Sequence, residues 1–273
     1  MDETVRGQAR QLQHSDEPII MMEQSALSIT NANGQSAGPL RRRLGLSSPF
    51  ATTVLPGLLI GPAVYYLYRC LVDLLKSSVT PATFLAYDVL IAYLLPAAFL
   101  MGALLLHRAL ISNIGLLGRF TRTQACVGLA AVFSAYLASI GVAELTGLGR
   151  EMGMVLLGFG KTEFQFQIFI VTVLILPPIV EEIAFRHFIL STLPFNRHRL
   201  VAVVAVIGSA IFFMYAHVGA YNFWPTHALM FTLGVIFAVA RLVTGGLLLP
   251  IMLHCFAVAT GLSLNYVWAA LGG

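Results

Sequence analysis

The chain has 273 residues, of which 58% are hydrophobic and 10% charged, with a formal net charge of +4. Soluble domains carry about 25% charged residues, so this chain lacks the polar side chains needed to cover a water-facing surface of its size. Composition therefore predicts a protein solvated mainly by lipid. Its arginines flank apolar runs instead of lining one face, which excludes a nucleic-acid partner.

In chain order, residues 1–48 are expected to form a disordered cytoplasmic tail. They are rich in Ser, Gln, Asn and Gly, and the acids Asp2, Glu3, Asp16, Glu17 and Glu23 balance Arg6, Arg10 and Arg41 to Arg43. The apolar run Ile19 to Met22 is too short for a signal-peptide core. Seven apolar stretches long enough to cross hydrocarbon follow, at about 52–75, 84–106, 124–145, 165–192, 200–219, 227–243 and 246–270. Strand-like alternation is absent, and backbone groups in lipid need internal partners, so the spans are read as helices. The predicted fold class is all-α, a polytopic membrane helix bundle of about seven transmembrane helices. Residues 49–164 supply the first three spans and their loops, and residues 165–273 form a four-span core. Pro62, Pro96, Pro177, Pro178 and Pro250, with Gly57, are expected to kink their helices.

Lys and Arg counted on alternate sides give nine against three. One side holds Arg41 to Arg43, Arg108, Arg119, Arg122, Arg197, Arg199 and Arg241, and the other holds Lys76, Arg150 and Lys161. The bias predicts an integral protein of a bacterial-type inner (plasma) membrane, N-terminus cytoplasmic and C-terminus outside. Cys70, Cys126 and Cys255 are too few and too scattered for a disulfide framework and are read as small apolar core residues.

An ionisable group at mid-membrane costs at least about 2.5–3.5 kcal/mol, so each one is a functional-site hypothesis. Asp88 and Glu144 lie near a predicted boundary and are read as interface anchors; Arg69 and Asp73, four apart, are placed to pair. Glu181, Glu182 and Arg186 instead fall within the fourth span. Adjacent helix positions point about 100° apart, so the two glutamates diverge. Glu182 and Arg186 have the i, i+4 spacing of a neutralising pair, which leaves Glu181 without a local partner. Two histidines in later spans are candidates to meet it: His217, one turn after Phe213, and His254, four residues after Pro250. At 1.5 Å rise per residue Glu181 and His254 agree in depth, whereas a straight fifth helix puts His217 farther out. His227 is placed at an interface, and His14, His107, His187 and His198 in loops or at boundaries.

These residues resemble the CPBP family, the CAAX-protease and bacteriocin-processing (Abi) intramembrane proteases that include the type II CAAX prenyl endopeptidases. The pattern EExxxR stands as Glu181, Glu182 and Arg186, and FxxxH as Phe213 and His217. Gly234, Thr244-Gly245-Gly246-Leu247 and Pro250 lead up to His254. Where the family carries Asn or Asp four residues after this histidine, Val258 stands. The resemblance implies an intramembrane endopeptidase that hydrolyses a peptide bond of a membrane-associated or prenylated-type protein or peptide. In that scheme Glu181 and His217 activate water, His254 serves the oxyanion, and Glu182, Arg186 and Phe213 support them. A metal-independent mechanism and a divalent metal such as zinc, held by Glu181, His217 and His254, are both compatible with the family. Val258 points to reduced activity, or to a family member acting as a membrane scaffold or regulator. A transporter is the remaining alternative, since buried Glu and His also build proton relays, but no internal repeat is present.

Overall fold

Every apolar stretch closes its hydrogen bonds within itself, because hydrocarbon offers a backbone group no other partner. The computed structural model describes residues 54–110, 116–195 and 198–271. The expectations for residues 1–48 and for Arg197 lie outside them. Eight helices occur among the described residues: α1 (Val54–Ser77), α2 (Pro81–Leu110), α3 (Arg122–Leu145), the single turn α4 (Met152–Val155), α5 (Glu163–Glu181), α6 (Arg199–Ala216), α7 (Trp224–Thr244) and α8 (Leu248–Ala270). Six spans are long and apolar enough to cross a membrane, close to the seven expected: α2, α3, Glu163–Thr192, α6, α7 and α8. The protein is an all-α integral membrane protein.

Local sequence explains where the helices start and stop. Thr121 opens α3 and Thr162 opens α5, each as an N-cap that accepts from the backbone three residues on and is answered by a glutamine, Gln124 or Gln165. These capping boxes satisfy orphan N–H groups at the helix start. Gly245 ends α7 in the left-handed conformation (φ 65°), its N–H returned to Arg241 O. The non-helical residue inside α2 is Tyr87 (φ −132°, ψ 33°), not Pro96.

The central element is α5 with its continuation. Of its most apolar stretch 56% is buried, against 6% for α3. It packs on α2 and α8, and its continuation also touches α1, α6 and α7. After Glu181 the helix widens into a π-helical segment, Glu182–Ile189, followed by a 3-10 turn, Leu190–Thr192. The Leu190 N–H bonds to Phe185 O, five residues back. Pro177 and Pro178 lack the N–H groups that would continue the preceding α ladder. Residues 182–189 are all buried, a wide turn of the type found at functional sites.

Small residues set the closest approaches, as expected where helices pack in lipid. A Cβ on Gly234 would lie 2.9 Å from Ala210 Cα, so α6 and α7 meet backbone to backbone there. The turn between α7 and α8 is tied to residues 116–119 by Leu247 N–H to Leu116 O (2.7 Å) and Arg119 N–H to Thr244 O (3.1 Å). At Gly246 a Cβ would sit 2.1 Å from Gly118 N and 2.2 Å from Leu117 C, which only a backbone shift relieves. Gly246→Ala is therefore expected to cost more than about 2 kcal/mol, read as a lower melting temperature of the detergent-solubilised protein. Gly141→Ala in α3, where nothing lies within 4 Å, is expected to be neutral or to add up to about 1 kcal/mol.

Candidate active site

The two glutamates at the junction of α5 and the π segment face different surroundings, as their 100° offset requires. Glu182 is fully buried and pairs with Arg186 (Oε2 to Nε, 3.3 Å), likewise fully buried. The guanidinium lies over the rings of Phe213 (4.6 Å), Phe237 (5.4 Å) and Phe185 (5.8 Å), and one of its amino groups donates to Gly234 O (3.3 Å). A cage of aromatic faces suits a guanidinium, which is weakly hydrated and attracted to ring quadrupoles.

Glu181 turns to the other side. Its Oε1 accepts a hydrogen bond from the Tyr93 hydroxyl of α2 at 2.6 Å. The buried Oε2 has no hydrogen-bond partner and lies 3.8 Å from His217 Nε2 and 3.9 Å from His254 Nε2. All three residues expected to form the site are thus brought together. His217 reaches it as the C-cap of α6, its backbone N–H bonded to Met214 O. The depth difference read from the sequence assumed a straight ladder, and residues 182–192 run instead through a π segment and a 3-10 turn.

The second nitrogen of each ring fixes its tautomer. His217 Nδ1 meets the Phe213 carbonyl at 2.8 Å. A carbonyl only accepts, so Nδ1 holds the hydrogen and Nε2 of the neutral ring is bare. The FxxxH spacing is thereby explained: the carbonyl that a continuing helix would give to a backbone N–H receives the ring instead. His254 Nδ1 meets Glu182 Oε1 at 2.9 Å, and the same reasoning leaves its Nε2 bare when neutral. Ring contacts hold both histidines: Phe237 stacks on His254 (4.9 Å, 22°), and Tyr221 lies parallel to His217 (6.2 Å, 6°). With both rings neutral, three acceptors converge on one point. Such a site needs hydrogens, from a water or from protonation of one imidazole.

The geometry fits zinc poorly. Tetrahedral zinc with bonds of about 2.0–2.1 Å sets its donors roughly 3.3 Å apart, less than the spacing here. Among the described residues no group of three His, Cys, Asp or Glu is gathered tightly enough to hold a metal ion.

A cavity of about 440 Å³ adjoins these groups. Glu181, His217, His254 and Val258 line it at depth, and Asp88, Glu151, Asn265 and Trp268 line it toward the end of the bundle where α2 begins and α8 finishes. Residues 150–154 brace that end. The Glu151 carboxylate accepts from the Asn222 and Phe223 N–H groups and the Thr226 hydroxyl, all at 3.0 Å. Arg150 donates to Asn265, whose amide donates to Met154 O. Tyr221 lies in the same connection. Burial, then the nearby Glu181 and Glu151, pushes its phenol up to about 12, so it stays neutral beside His217.

Polar residues elsewhere are paired or buried, His107 and His187 against expectation. Asp88 pairs with Lys161 (3.0 Å), which also donates to Leu85 O. His107 and His187 are buried within α2 and the π segment, Nδ1 to Nε2 at 2.8 Å, because the wide turn carries residue 187 inward. Arg241 is buried in the last turn of α7. His227 bonds Tyr221 O from the first turn of α7. Tyr93 and Phe237 give no sequence signal, being ordinary aromatics in apolar spans.

Comparison with known proteins agrees with this assembly of motifs. Residues 163–260 match the family model described as "Type II CAAX prenyl endopeptidase Rce1-like", so the segment from α5 through most of α8 is similar to that family, in keeping with the CPBP resemblance. A curated relative, the "Uncharacterized 24.3 kDa protein" of Escherichia coli, is 27% identical over 164 residues, covering 60% of this chain and 75% of that protein. No solved structure matches the chain.

Removing one partner of a buried ion pair strands the other charge, at about 3–5 kcal/mol. Arg186→Met is expected to show a loss of this size in chemical unfolding from detergent. The double variant Glu182→Gln/Arg186→Met is expected to recover much of it, which an exposed or weakly coupled pair would not do.

Proposed function

We propose that this protein is an intramembrane endopeptidase that hydrolyses a peptide bond of a membrane-associated or prenylated-type substrate. The observation that carries this reading is the unpartnered, buried Glu181 Oε2, placed between two imidazole nitrogens at the wall of a cavity of about 440 Å³. A water between them gives one hydrogen to Glu181 Oε2 and the other to His217 Nε2. Its remaining lone pair then faces a carbonyl carbon in the cavity.

In the proposed step the water oxygen bonds to that carbon while its proton passes to Glu181. His254, held at Nδ1 by Glu182, donates a hydrogen from Nε2 to the oxygen that becomes anionic. Collapse of the tetrahedral species breaks the C–N bond, and the proton held by Glu181 moves to the leaving amine. General-base assistance contributes about 10²–10⁴-fold, and an oxyanion donor about 10²–10³-fold. No metal takes part in this scheme, since the donor spacing does not favour one. The charge pattern supports an orientation with the N-terminus in the cytoplasm.

One observation favours a second reading. Val258 lines the cavity one turn after His254, where the family has a side chain able to donate or accept. A weakly active member serving as a membrane scaffold or regulator is the consequence if the valine removes too much stabilisation.

Purified protein offered a panel of tagged membrane peptides tests both. The wild type is expected to cleave, insensitive to EDTA and 1,10-phenanthroline. Glu181→Ala and His217→Ala are each expected to lose at least about 10²-fold in turnover; cleavage surviving both substitutions would sink the site. Val258→Asn is expected to raise turnover by up to about 10²-fold. A wild type that is inert until Val258→Asn revives it establishes the second reading.

A further inference from the structure

Tyr93 is absent from the motifs, and 88 residues separate it from the glutamate that it touches. Its hydroxyl and Glu181 Oε1 are 2.6 Å apart, a short hydrogen bond in which the phenol donates. The two carboxylate oxygens therefore stand in unlike positions. Oε1 is tied to α2, while Oε2 has no hydrogen-bond partner and is aimed between His217 and His254.

Nothing else in the glutamate enforces that division. The last torsion of a Glu side chain is broad and nearly two-fold, so an untethered carboxyl turns freely between equivalent settings. Glu181 follows a pair of prolines and opens a π segment, a place where the backbone ladder is already altered. The tie to Tyr93 crosses from a different helix and holds the carboxyl plane from outside. The neighbouring ionisable groups cannot serve instead. Tyr65 and Tyr68 of α1 act on Glu181 only at a distance, Tyr221 lies against His217, and Arg186 is engaged by Glu182 and its aromatic cage.

We infer that Tyr93 is a positioning residue, which holds Glu181 Oε1 and so presents Oε2 to the water. The catalytic half of this inference rests on the reading of Glu181 as the base; the tie itself does not. Misplacement of a reacting group by about 1 Å costs on the order of 10²-fold in rate.

The test pairs an activity measurement with one that needs no substrate. Tyr93→Phe is compared with the wild type and with Tyr266→Phe, whose ring is 78% exposed on α8. The kcat and KM of peptide cleavage are measured, along with the rate at which a hydrophobic carbodiimide modifies Glu181 at neutral pH, followed by peptide mass spectrometry. A carbodiimide reacts through a carboxyl oxygen, and the tie to Tyr93 engages one of the two that Glu181 has. Tyr93→Phe is expected to lower kcat by about tenfold to 10²-fold with KM little changed, and to speed modification of Glu181 severalfold. Tyr266→Phe is expected to leave both unchanged.

An unchanged kcat in a folded Tyr93→Phe protein overturns the inference, whatever the modification rate. A wild type that cleaves nothing defeats the hydrolytic reading instead. The carbodiimide rate then decides the tie alone, faster modification upholding it and an equal rate overturning it. Should the phenylalanine variant not fold, a fluorinated tyrosine at position 93 keeps the packing and strengthens the donor. Slower modification of Glu181 is then expected, and an unaltered rate overturns the tie.

Discussion

A guanidinium with no exposure to solvent, held in the middle of an apolar bundle, is the constraint to which the surrounding structure answers. Arg186 has to be neutralised by a carboxylate, and Glu182 on the same turn does so. Its flat faces have to be covered, and Phe185, Phe213 and Phe237 from three different helical segments cover them. It also donates to Gly234 O, at the residue whose missing side chain lets α7 approach α6. Uncovering any part of this arrangement exposes a charge to hydrocarbon, so α5, α6 and α7 are held in mutual register by electrostatics as much as by packing.

The same groups reach the candidate site by one further step each. Glu182 uses its other oxygen to orient His254. Phe213, whose ring lies under Arg186, gives its carbonyl to His217. Both imidazoles therefore take their orientation from the ion-pair cage, one through a carboxylate and one through a backbone oxygen. Orientation of a histidine through its distal nitrogen is a general way to choose the nitrogen that faces the chemistry. Glu181 is the exception, tied to α2 and not to the cage.

Much of this arrangement is written in short-range pattern. The spans follow from runs of apolar residues, and their ends from Thr121, Thr162 and Gly245. The i, i+4 spacing of Glu182 and Arg186 announces the pair, and a lone carboxylate next to it with two intramembrane histidines outlines the site. What the chain does not disclose locally is anything decided by width or by distance in sequence. A π turn at 182–189 leaves no mark in residue type, so the inward path of His187 is invisible, and with it the pairing with His107. Tyr93 looks like any aromatic in a span until α2 is laid against α5. Arg241 enters the sequence only as one of the cations counted on one side of the membrane, and nothing local announces that its side chain is buried.

That stitched turn also bears on how such a chain can change over generations. Residues 116–119 and 244–247 sit more than a hundred positions apart, yet their backbones share two hydrogen bonds and touch at Gly118 and Gly246. Loops are ordinarily where insertions and deletions accumulate. Here a change of length in either one moves the partner by the same amount, and through Leu247 and Pro250 it displaces the start of the helix that carries His254. The two connections are therefore bound to drift together, as one inherited unit, while the surrounding spans exchange one apolar residue for another.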